Sequence, residues 1–146
     1  ATVVQRSIAQ MFAEMKCEST QPDLESCLRF AGTQLAESML IPRCVSLMRI
    51  TAAEAHSFPE LAQMAYSQSF QQSVKYLIDS ISKTELLSDE EVITEISTRF
   101  CELVLQPLSF QAAFGANIEN LRSRVAKDIE DAILLLTAKG LLESSK

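Results

Sequence analysis

Apolar residues return at steps of three and four along most of this chain, and that period leaves little choice but helix. Near its end, Ile118, Leu121, Val125, Ile129, Ala132, Ile133 and Leu136 form one stripe. A helix of 3.6 residues per turn gathers such positions on one face, whereas a strand would divide them between two. The same spacing joins Val4, Ile8, Met11, Phe12 and Met15, then Leu24, Leu28, Ala31, Leu35 and Met39, then Val92, Ile96, Phe100, Leu103 and Val104. Only three Gly and four Pro punctuate 146 residues. The expected fold class is all-α: one helical bundle domain over residues 1–146, with about six helices. The chain is long enough to enclose a core.

The breaks are legible too. The first helix is expected from about Val3 to Lys16. Thr20 is placed to cap the second, with Pro22 in its first turn and Asp23 behind it. Pro42 disfavours helix at Ile41 and opens a third helix to about Ala55. In that third helix Cys44, Val45, Leu47, Met48 and Ile50 leave almost no polar face, which predicts a largely buried element. Ser57 and Glu60 have the spacing of a capping box for a long fourth helix to about Ser82, and Ser88 and Glu91 repeat it for the fifth. Pro107 is expected to kink or end the fifth helix, with a brief continuation to Gly115 as its cap. Asn117 caps the last helix, and Gly140 stops it. Leu134 and Leu135 lie off the main stripe of that helix and widen its apolar arc. A helix apolar over so wide an arc needs partners on more than one side, and a second copy of the chain is the simplest source.

Several function classes are disfavoured. The formal charge is −6, and the nearest thing to a basic cluster, Arg122, Arg124 and Lys127, is interspersed with Glu119, Asp128, Glu130 and Asp131. Nucleic-acid affinity comes largely from neutralised phosphates, so this chain by itself is not expected to bind DNA. Cys17, Cys27, Cys44 and Cys101 make no C-x-x-C pair, and one histidine cannot complete a zinc set. They read as free thiols in a reducing cytoplasm, with a thiol sensor or disulfide as the alternative. No metal or cofactor is expected. No apolar run approaches the roughly 20 residues needed to span a membrane. His56 lies two residues from Glu54, a spacing that does not bring side chains together on a helix. There is no Gly-rich phosphate loop and no nucleophile elbow, so no catalytic residue and no enzyme are expected.

The stretch "LMRITAAEAHSFPELAQMAYSQSF", Leu47 to Phe70, resembles the TetR family of bacterial transcriptional regulators. Arg49, Glu54, Ala55, Phe58, Pro59, Glu60, Leu61 and Ala62 occupy a pattern found where two helices of that family's regulatory domain meet. The order and length of the helices resemble that domain over essentially the whole chain. The resemblance implies a C-terminal effector-binding and dimerisation domain of a repressor, in the cytoplasm. A DNA-binding helix-turn-helix domain is expected upstream of residue 1, since the chain opens on Ala1 within what resembles the helix linking the two parts. Operator DNA would be reached only through that domain. The resemblance further implies a small apolar effector held among the helices, a homodimer built as a four-helix bundle from the last two long helices, and release of DNA when the effector shifts the linking helix. A protein-interaction module without a small ligand is the first alternative; a small helical enzyme or lipid carrier is the second.

On this footing the effector-pocket candidates are Met11, Phe12, Met15, Phe30, Met48, Met64, Tyr66, Ser67, Phe70, Phe100, Cys101 and Val104. Adaptable methionines suit apolar ligands, and buried Tyr or Ser hydroxyls seek partners. No cationic side chain is clearly interior, which favours a neutral or cationic effector. Dimer candidates are Ile96, Phe100, Leu103 and Phe110 on the fifth helix and Ile118, Leu121, Val125, Ile129, Ala132 and Ile133 on the last. Some of these must face the protomer's own core. Arg49 and Glu54 read as structural, tying the third helix to its neighbours, with anion binding at Arg49 as the alternative.

Overall fold

A computed structural model describes residues 3–13, 15 and 21–142. The Val4 side chain, Lys16, Cys17 and Thr20 lie outside the described residues. Within them the chain is helical: α1 (Val3–Ala13), α2 (Leu24–Met39), α3 (Pro42–Ala53), α4 (Pro59–Thr84), α5 (Glu90–Phe100), a π-helical segment (Cys101–Leu105), α6 (Gln106–Ala113) and α7 (Ile118–Ala138). From α5 to α6 the backbone stays right-handed helical, so these three pieces form one rod and the described residues make six.

Why the fifth rod survives Pro107 is a matter of ladder geometry. Proline lacks an N–H, and in an α-helix its ring strikes the carbonyl four residues back. The turn just before Pro107 is wider, and the Gln106 N–H reaches the Cys101 carbonyl five residues away. The π turn absorbs the proline and the helix runs on to Ala113.

Both expected glycine stops form the same closing motif. Gly115 and Gly140 have φ of +90° and +84°. After α6, Gly115 N–H donates to Ala112 and Ala116 N–H to Gln111; after α7, Gly140 donates to Thr137 and Leu141 to Leu136. These paired bonds satisfy the last carbonyls of each helix.

The starts correct the expectation. Asp23, not Thr20, caps α2, its carboxylate accepting the Ser26 N–H at 2.7 Å. Asp89, not Ser88, caps α5, accepting from Glu91 and Val92. No capping box forms at Ser57 and Glu60: Phe58 occupies the cap without a side-chain bond, and Pro59 opens α4. The Phe58 N–H instead donates to the Glu54 carbonyl at 2.7 Å, closing the corner on its own backbone. At α7 the Asn117 side chain accepts the Asn120 N–H as the sequence predicts.

The core gathers α2, α4, α5, the π segment and α7 around Leu28, Leu77, Ile96, Phe100 and Ile129. Gly32 lets the Phe100 ring lie against the α2 backbone; a Cβ there would stand 2.6 Å from the ring's Cζ. The third helix departs from expectation. Only Val45 of α3 is buried, and Ile50 is 61% exposed. The helix sits on the outside of the corner, packed on one flank, so its missing polar face does not mean burial.

Candidate functional site

The first group of candidates lies on α1 and on the helices α3 and α4 to which its side chains bond. The Gln5 side-chain amide donates to Met64 Sδ at 2.7 Å, and the Cys44 thiol donates to Met11 Sδ at 2.7 Å. Gln68 adds a bond to the Gln5 carbonyl. Phe12, Met15, Met48 and Phe70 are partly buried and pack on the main core. Ser67 is half-buried nearby in sequence. Sulfur thus stands at two separate points beneath α1, Met64 against Gln5 and Cys44 against Met11. Burial pushes the Cys44 thiol up, so it is a neutral donor there.

Phe100, Cys101 and Val104 lie deeper, wholly inside the core. Tyr66 is 53% exposed; its ring stacks on Phe70 and its hydroxyl accepts from the Gln106 amide. Phe30 is exposed on α2 and takes no part in the core. The sequence pattern shows which helix carries each residue, but only packing shows how deep it lies.

The dimer candidates divide in the same way. Ile96, Phe100, Leu121, Val125, Ile129, Ala132 and Ile133 are buried inside the single chain. They have no surface left for a partner, and this corrects the expectation that they face one. Ile118 is half-buried, while Leu103 and Phe110 remain exposed. With Pro107 and Phe114 they fall at steps of four, three and four along one outward face of the α5–α6 rod. The Phe110 and Phe114 rings lie 4.8 Å apart. On α7, Leu134 and Leu135 are also exposed, beside Ala138. Leu134 and Leu135 are the residues that widen the apolar arc of α7 in the sequence; the exposed Phe114 carries no such sequence signal.

The family-like corner has a structural arrangement. Arg49 Nε donates to the Ala112 carbonyl at 3.0 Å, placing a cation at the C-terminal end of α6. Glu54 is exposed at the end of α3; Pro59 and Glu60 open α4, and Leu61 is half-buried. His56 and Ser57 are exposed in the turn between. No group of three or more His, Cys, Asp or Glu that could hold a metal is found among the described residues.

Residues 26–139 match the family described as the AefR-like transcriptional repressor, C-terminal domain. The chain is a TetR-family C-terminal domain. No curated protein matches it. The match spans α2 to α7, so the corner at Arg49, the π turn and the exposed rod all lie within TetR-family sequence. TetR-family regulatory domains are not an enzyme class; they generally bind effectors and dimerise within repressors. No described helix of this domain is long and apolar enough to cross a membrane.

Proposed function

We propose that this TetR-family domain binds a small, largely apolar effector and pairs with a second copy of itself, within a cytoplasmic repressor whose DNA reader lies upstream of residue 1. The observation that carries the pairing is the outward strip of Leu103, Pro107, Phe110 and Phe114, with Leu134 and Leu135 on the adjoining α7. Exposed apolar residues at alternating steps of four and three are what a helix presents to another helix. Two such rods and two copies of α7 would close a four-helix bundle.

Effector binding is supported by family membership and by the two sulfur contacts under α1. The proposed lining is drawn from Met11, Phe12, Met15, Met48, Met64 and Phe70, with Phe100, Cys101 and Val104 as the deeper wall. Phe30, Tyr66 and Ser67 are more peripheral. An effector that favours one placement of α1 over another would act on the DNA reader, because a ligand shifts only an equilibrium between states it binds unequally. No separate cofactor is required.

Native mass spectrometry of the purified chain tests both parts. A dimer that carries a bound small molecule is expected. A monomer without ligand would overturn the reading, and a dimer that never retains or binds a small molecule would favour a protein-interaction module.

A further inference from the structure

Three polar side chains are buried among the described residues: Ser73, Ser80 and Ser97. Two are satisfied within their own helix. Ser73 donates to the Ser69 carbonyl at 3.0 Å and Ser80 to the Tyr76 carbonyl at 2.7 Å. Ser97 has no exposure at all, and its Oγ finds no partner. A helical serine can ordinarily turn back to the carbonyl four residues earlier. Here that bond is not made, and the hydroxyl is buried without a protein partner.

The surroundings of Ser97 define what could satisfy it. Cys101 follows at i+4 on the same face, is also fully buried, and begins the π segment. Burial pushes its thiol up to about 12, so it stays neutral. No Asp, Glu, Lys or Arg is buried among the described residues. The nearest charge acting on Cys101 is the half-buried Glu102 carboxylate, and it is already paired with Arg99, so a charged ligand group would find no free counter-charge here and its desolvation would oppose binding. A π turn often marks a functional site, because its widened ladder perturbs the local packing.

We infer that the effector is uncharged and carries an acceptor oxygen, as in a ketone, ester or lactone, which docks on the Ser97 hydroxyl beside Cys101. This rests on the effector-binding reading above. Ser97 has no solvent-accessible surface in this conformation, so the ligand must displace packed side chains to reach it. The unpaired hydroxyl disfavours the closed form, and a ligand oxygen favours the opened one. That difference is what an effector needs to shift the protein between two states.

Acetophenone and cumene, nearly equal in shape but with and without the oxygen, test the assignment on the full chain. Calorimetric titration at millimolar ligand should show acetophenone binding roughly five- to tenfold more tightly than cumene, the worth of one net hydrogen bond. Ser97→Ala should erase that preference, and the carbonyl stretch of bound acetophenone should lie lower in the wild type than in the variant. Without ligand, Ser97→Ala should melt no lower than the wild type. A lower melting point would mean that the hydroxyl has a protein partner, and would overturn the assignment. Equal binding of the two compounds would overturn the Ser97 anchor while leaving the effector reading standing. Failure of both to bind would likewise overturn the anchor, and the native mass spectrum then decides the effector reading by itself.

Discussion

At the scale of single residues, Gly32 is the most constrained position in the core. Replacing it with Ala improves helix propensity by about 1 kcal/mol. The new Cβ, however, would stand 2.6 and 2.8 Å from two atoms of the Phe100 ring, which is fully buried and has nowhere to turn. Overpacking of this kind costs roughly 1–3 kcal/mol. Gly32→Ala is expected to lower the melting temperature and Gly32→Val to lower it further. An Ala variant that melted above the wild type would show that the ring can yield. Glycine at this position is visible in the sequence only as a weak helix former. Nothing in the periodicity reveals that a phenylalanine 68 positions later needs its space.

A second residue-scale expectation concerns acid. Arg29, by its hydrogen bond to the Glu130 carboxylate, holds that group below its ordinary range. A carboxylate whose folded value is depressed stabilises the fold above its unfolded value, near 4.3, and loses that contribution as pH falls through the folded value. Both partners are substantially exposed, so screening limits the pair to roughly 0.2–1 kcal/mol. A double-mutant cycle on Arg29→Ala and Glu130→Ala should find coupling of that size at neutral pH. It should shrink in high salt and vanish in strong acid; coupling that persisted there would rule out an ionic origin.

Elements end more predictably than they begin. The stops at Gly115 and Gly140 were legible because the left-handed backbone that closes a helix excludes most other residues. The starts were ambiguous because "TQPD" and "SDEE" each offer neighbouring residues able to cap, and a shift of a few positions leaves the apolar stripe intact. Gly140 gives a clean test. A Cβ there would meet nothing within 4 Å, so any cost is purely backbone. Gly140→Ala should destabilise α7 by about 1–2 kcal/mol, with Asn losing less. Equal stability of all three in urea titrations would mean that the C-terminal turn is not held in the left-handed conformation.

The π segment shows a different limit. Pro107 announced a disruption, but not its form. A kink, a stop and a widened turn all relieve the same clash, and the choice depends on what the rod packs against. The third helix is a further case: its apolar positions imply burial, but periodicity measures composition around a helix, not which flank faces protein.

For the whole molecule, the class, the order of the rods and their approximate ends could be read from the sequence. The partition of apolar residues between core and interface could not. Core and seam on the α5–α6 rod share one helical period, so Phe100 and Phe110 look alike in sequence while one is enclosed and the other stands in water. The proposed pairing follows from the second kind. Phe110→Glu is expected to yield a monomer of unchanged helical content by light scattering and circular dichroism. Leu134→Glu should weaken pairing in the same direction. A Phe110→Glu protein that remained a tight dimer would place the interface elsewhere.

The uncovered strip of Leu103, Pro107, Phe110 and Phe114 also governs how robust the protein is. If association hides it, folding and assembly are linked by mass action, and dilution removes stability that no change within the chain would touch. The melting temperature of the wild type should then climb with protein concentration, while that of Phe110→Glu should stay flat.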